Sequence, residues 1–128
     1  MRNIKFRGKS IKDGKWVYGY FLVNQFDEYT ICDKTFATAV IPETVGQYAG
    51  LPDKNNKEIY EGDILKRGET TDEVIFEDGA FCIKFYSKNY KSYYTKTMQE
   101  ALSGGINRWK IIGNKFENSE LLNKNVKE

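Results

Sequence analysis

The chain has 128 residues, enough for one domain or two small subdomains, and 40% of its side chains are apolar. Its 20 basic and 18 acidic side chains leave a net charge of +2, which is no global signature of a nucleic-acid binder. Histidine is absent, which excludes His-based acid/base catalysis, Ser-His-Asp and Cys-His nucleophile pairs, and His-containing zinc sites.

Nine Tyr, eight Phe and two Trp tilt the composition towards strands, because aromatic side chains suit half-buried pleated surfaces. The first run, residues 3–7, alternates Ile4 and Phe6 with Lys5 and Arg7 and predicts a strand. Asp13-Gly14 then predicts a hairpin turn, since both residues tolerate positive φ. Residues 16–23 predict a second strand with Trp16, Tyr18, Tyr20 and Leu22 on one face and Val17, Phe21 and Val23 on the other. Apolar residues on both faces mark a central strand or one that meets another subunit. Gly19 in its middle predicts a bulge or a close backbone approach. Short strands follow at 29–32 and 37–41, the second ended by Pro42.

Residues 46–51 are too short and glycine-rich for a helix, and Pro52-Asp53 and Asn55-Asn56 predict two turns. Short extended pieces are expected at 58–60 and 64–67, and a polar loop at 68–72. Two alternating runs, 73–77 and 80–86, flank Asp78-Gly79 and give the strongest hairpin signal in the chain. Residues 97–102 predict a helical turn, 109–113 a late strand, and 118–122 a second helical turn capped by Asn118 or Ser119. Many short strands joined by tight turns predict a mainly β fold, a small barrel or rolled sheet.

Cys32 and Cys82 lie 50 residues apart in strand-like runs and read as two buried, reduced thiols. The first seven residues carry no apolar signal core, and the longest apolar run is far short of a bilayer span. The expected setting is cytoplasmic, without membrane insertion.

Three blocks carry a family resemblance. They are Ile4-Lys5-Phe6-Arg7, the central run from Gly46-Gln47-Tyr48-Ala49-Gly50-Leu51 to Glu58-Ile59-Tyr60-Glu61-Gly62-Asp63-Ile64, and Ile112-Gly113-Asn114-Lys115-Phe116-Glu117-Asn118-Ser119-Glu120-Leu121-Leu122. Together they resemble the YopX family of phage and prophage proteins. The sequence departs from the family pattern at Ala49, Asn56 and Ser119, where Thr, Gly and Pro are common. The resemblance implies an SH3-type barrel over residues 46–128 and a smaller β region over 1–45, within one family domain spanning 1–123. It implies a phage or prophage origin but no activity, cofactor or functional residue.

Four constellations are candidates for chemistry. Asp53, Glu58, Glu61 and Asp63 could hold a divalent cation. An EF-hand register from Asp53 fails, because Glu58 stands where Gly is required and Ile64 where Glu is required. These acids read instead as turn caps and solvated charges, so no metal, cofactor or catalytic residue is expected. The second set interleaves cations and rings: Lys84, Tyr86, Lys88, Tyr90, Lys91, Tyr93, Tyr94 and Lys96. Such a pattern can grip single-stranded nucleic acid, can form a partner site, or can be a solvated strand face. The third is the acidic run Glu69, Asp72, Glu73, Glu77 and Asp78, which the hairpin folds against the basic one and which lowers the case for nucleic acid. The fourth is the two-faced apolar strand at 16–23. Together these point to a non-catalytic interaction module that self-associates and engages a host or phage protein. The alternatives are a nucleic-acid accessory protein and, more remotely, a metal-dependent enzyme built on the central acids.

Overall fold

The computed structural model describes residues 2–87, 89–103 and 108–123. The chain divides into two compact units, Met1–Gly50 and Leu51–Glu128. It is mainly β, as the aromatic-rich composition and closely spaced turns predict, with two antiparallel sheets and two one-turn helices among the described residues.

In the first unit β1 (Phe6–Lys9), β2 (Trp16–Val23), β3 (Tyr29–Cys32), β4 (Ala37–Ala39) and β5 (Gly46–Pro52) lie in the order β4-β3-β2-β1-β5. The β1–β2 connection falls at Asp13-Gly14, but as a loop over residues 10–15 rather than a two-residue turn: Gly14 takes φ 71°, Asp13 does not take a positive φ, and the Asp13 carboxylate accepts from the Lys15 amide at 3.0 Å. That amide bond is the main reason the Asp13 carboxyl sits below its usual pKa. Two amides, of Phe36 and Thr35, do the same for Asp33 in the β3–β4 turn.

The core of this unit is small. Ile31 and Val40 are its fully buried apolar side chains, and a Cβ on Gly8 would come within 3.0 Å of Val40. Phe21 extends this packing, with its ring 5.6 Å from Phe6 and 5.3 Å from Tyr29. Gly19 is the close approach anticipated in the sequence: it takes φ 156°, and a Cβ there would collide with the Cys32 carbonyl. Pro42 ends the β4 segment and opens a single 3₁₀ turn, Pro42–Thr44. The Thr44 hydroxyl ties that turn back to β1 by accepting the Lys9 amide at 2.9 Å.

The second unit contains β6 (Glu58–Tyr60), β7 (Asp63–Arg67), β8 (Thr70–Glu77), β9 (Ala80–Ser87), β10 (Ser92–Thr97) and β11 (Lys110–Asn114). Its five-stranded sheet runs β10-β9-β8-β7-β11, antiparallel throughout. The hydrogen-bonded order stays open between β10 and β11 rather than closing into a ring among the described residues. Helix α1 (Met98–Ala101) follows β10 behind a capping box, in which Thr97 accepts from the Glu100 amide at 3.1 Å. Helix α2 (Glu120–Asn123) lies after Asn118-Ser119, where the sequence placed a capped turn. Ile59, Ile64, Leu65, Val74, Ile83, Met98 and Trp109 form the buried core of this unit.

Several segments differ from expectation. The first strand, expected over 3–7, is Phe6–Lys9. Residues 46–52 are strand β5, despite two glycines. Strand β8 begins at Thr70, so the loop expected over 68–72 shrinks to a turn at Gly68. The Lys/Tyr tract, left without an element, supplies β10. Cys82 is buried but Cys32, the last residue of β3, is only half-buried; both thiols are free.

Candidate interaction surface

The β9–β10 hairpin holds the sequence's cation and ring candidates. Alternation along β9 places Cys82, Lys84 and Tyr86 on one face of the sheet and Ile83 and Phe85 on the other. The register brings Tyr93 opposite Tyr86, Thr95 opposite Lys84, Tyr94 opposite Phe85 and Lys96 opposite Ile83. Paired residues share a face, so the tract divides.

On the first face the Tyr86 and Tyr93 rings meet edge-on at 5.2 Å, and the Lys84 ammonium lies 5.0 Å above the Tyr93 ring. On the second face Tyr94 packs 6.2 Å from Phe85 and 5.9 Å from Tyr90, with the Lys96 ammonium 5.8 Å over Phe85. Lys91 sits in the connecting turn at φ 50°, exposed. Lys88 lies outside the described residues.

The structure therefore gathers Lys84, Tyr86 and Tyr93 into one cluster and Tyr90, Tyr94 and Lys96 into another, back to back. No single groove holds the whole set. Its electrostatics are compensated as well: Glu73 on β8 is the direct cross-strand partner of Lys84. The second unit carries thirteen basic and thirteen acidic side chains, so it brings no net positive field to the hairpin.

What the hairpin does offer is an open edge. Residues 91–96 are exposed, and among the described residues β10 has one hydrogen-bonded neighbour, β9. An edge strand presents half of its backbone N–H and C=O groups outward, ready to pair with an added strand. Tyr90, Tyr93 and Tyr94 flank that edge, exposed by 75%, 41% and 42%. Tyrosine is enriched at protein interfaces because its ring buries area while its hydroxyl stays hydrated. The first unit adds exposed rings of its own, Tyr20, Phe26 and Phe36, each at least 70% exposed.

The central acids have other employment. Asp53 is buried; its Oδ1 accepts the Asn55 and Lys57 amides at 2.8 and 2.9 Å, and its Oδ2 accepts the Ile111 amide at 3.0 Å. Burial alone would raise its pKa, but these three amides outweigh burial and hold it below the usual value. Asp63 Oδ2 accepts the Tyr60 amide at 2.8 Å. Among the described residues no three acidic or cysteine side chains gather as a metal cluster would require.

The C-terminal block is likewise an internal brace. Asn114 Oδ1 accepts the Phe116 and Glu117 amides, each at 3.0 Å, and Asn118 Oδ1 returns to the Asn114 amide at 3.1 Å. A Cβ on Gly113 would stand 2.5 Å from that Asn118 oxygen, so the glycine is needed for the closure.

One group was missed in the sequence. Asp72, read as a loop residue, is an inward-facing position of β8 and only 1% exposed. Neither carboxylate oxygen has a hydrogen-bond partner among the described residues. Desolvation pushes its pKa up to about 6, against the opposing pull of the Arg67 guanidinium. The alternation Thr70, Asp72, Val74 could have pointed to it, since Val74 marks the buried face.

Two antiparallel sheets, minimal helix and glycine- or Asx-closed turns define a small all-β protein. No curated protein matches the chain. The chain belongs to the YopX family, described as YopX protein, which matches residues 1–123. It is similar in structure to protein EF1440 from Enterococcus faecalis, solved by crystallography. The TM-score is 0.57 at 22% identity, covering 95% of this chain and 99% of that one. At that identity the likeness shows a shared fold. No helix among the described residues is long and apolar enough to cross a membrane.

Proposed function

We propose that this chain is a phage or prophage accessory protein that works by binding rather than catalysis, and that it self-associates in the host cytoplasm. The observation that carries the reading is the β9–β10 hairpin, an exposed sheet edge flanked by three solvent-facing tyrosines. Two of the four central acids, Asp53 and Asp63, are engaged with backbone amides, which supports a structural role for them. Sedimentation velocity from about 1 to about 300 µM tests self-association; the weight-average mass rises with concentration. A mass equal to one chain throughout overturns this part of the reading.

Binding to single-stranded nucleic acid is the second reading. It is favoured by the two cation-over-ring pairs, Lys84 on Tyr93 and Lys96 on Phe85. Anisotropy titration with an oligonucleotide at two salt concentrations separates it from the first. A nucleic-acid site loses affinity steeply as salt rises. Absence of binding at low salt removes it.

A further inference from the structure

We infer that β10 pairs edge to edge with β10 of a second copy, antiparallel and centred on Thr95, extending the five-stranded sheet across a two-fold axis. The inference rests on the self-association reading above and specifies the surface and the register.

The argument is one of parity. A two-fold axis that joins two antiparallel edges stands perpendicular to the sheet, so each face of one copy continues into the same face of the other. Cross-strand partners must then lie on the same face, and the axis must pass through a residue rather than between two. Within β10 the central choices are Tyr94, Thr95 and Lys96. Centring on Lys96 sets two ammonium groups directly opposite, which is destabilising. Centring on Tyr94 leaves Lys96 opposite Ser92 of the partner copy.

Centring on Thr95 pairs threonine with threonine and places each Lys96 opposite the other copy's Tyr94, with Tyr93 opposite Thr97. Threonine pairs and cation-against-ring pairs are favourable cross-strand combinations. Lys96 already lies over one aromatic ring, that of Phe85, so a second ring beside it asks little rearrangement. No acidic residue occurs in β10 and Lys96 is its single charge, so this register opposes no like charges.

The contact is small. The Thr97 amide is held by the Glu100 carboxylate in the capping box, so three residue pairs, Tyr94 with Lys96, Thr95 with Thr95 and Lys96 with Tyr94, span about 10 Å of strand, which places the assembly at the weak end of specific interfaces. A single lysine on an edge is a light guard against pairing, compared with the prolines, bulges and multiple charges that close other edges.

The test is Thr95→Glu. In one copy the new carboxylate faces Lys84, its cross-strand neighbour on β9, so the fold is supported. In the pair, two carboxylates meet on the axis. Sedimentation across about 1 to 300 µM is expected to show a dimer for the native chain and at least about a tenfold weaker association for the variant. Hydrogen exchange on the native chain provides a second reading independent of any variant: protection of amides in Ser92–Thr97 rises with concentration. A native dimer unaffected by Thr95→Glu, with β10 exchange independent of concentration, overturns the edge pairing but leaves self-association standing. A native chain that stays monomeric over the whole range overturns both. Thr95→Val, which keeps the β-branched shape without charge, retains the dimer; loss of association there would also count against the register.

Discussion

The carboxylate of Asp72 sets up a test in which one titrating group can be followed almost alone. It is buried, without a hydrogen-bond partner among the described residues, and its pKa rises from 3.8 to about 6. The folded state therefore holds this proton more tightly than the unfolded chain. The stability it contributes is fully present below about pH 4 and is lost as pH rises through about 6. A shift of roughly two units corresponds to about 3 kcal/mol at neutral pH, with desolvation as the main cause and Arg67 as a partial offset.

Asp72→Asn keeps the shape and removes the ionisation. Urea unfolding of both proteins between about pH 4 and pH 8 should show the variant gaining on the native chain by about 3 kcal/mol, nearly all of it between about pH 4 and pH 6.5. The chain has no histidine, so that window contains no side chain of ordinary pKa besides the carboxylates at its lower end. A difference that stays constant with pH, or a native chain that is the more stable of the two at pH 8, would refute the claim that this carboxylate is desolvated and uncompensated.

Other substitutions probe the braces and the close approaches. Asp53→Asn replaces an acceptor facing the Ile111 amide with a group that can present a donor, and should cost about 2 kcal/mol, read by urea unfolding at neutral pH. Because the native carboxyl is held below its usual pKa, that cost should shrink as pH falls through the range below about 4. Gly19→Ala drives a methyl group into the Cys32 carbonyl and should destabilise the chain by about 2 to 4 kcal/mol; a melting temperature equal to the native value would mean that the two strands part at little cost. Gly113→Ala displaces the Asn118 side chain from the Asn114 amide, and should appear first as faster hydrogen exchange at that amide.

How much of this could be read beforehand depends on whether local chemistry decides the outcome. Asp78-Gly79 could be read because both residues adopt positive φ, 51° and 81°, whatever surrounds them. Asn56 was legible in the same way: it stands where the family favours glycine and takes φ 66°. Strand β2 was placed to the residue by its aromatic alternation. Strand β8 began earlier than expected because Thr70-Thr71-Asp72 has no apolar residue to announce it; pairing with Arg67, Lys66 and Leu65 makes it a strand. Burial of Asp72 belongs to the same class, since nothing near it in sequence removes its water.

The candidate surface was legible in composition but not in arrangement. Lys84 through Lys96 reads along the chain as a single basic-aromatic tract. Its division between two faces follows from the pairing of Tyr93 with Tyr86 and Tyr94 with Phe85, and register is a property of two strands.

The Asp53 carboxylate joins a turn near the start of the second unit to β11, 58 residues later. During synthesis on a ribosome, Asp53 and its turn leave the exit tunnel before Ile111 does. For that interval a buried-site anion has its two nearby amides but not the third, and β7 lacks its neighbour on one side. The nascent unit is thus a half-finished sheet with a bare strand flank, open to mispairing until its last strand arrives. A chain truncated before Ile111 should be far easier to digest with protease than the full 128-residue chain.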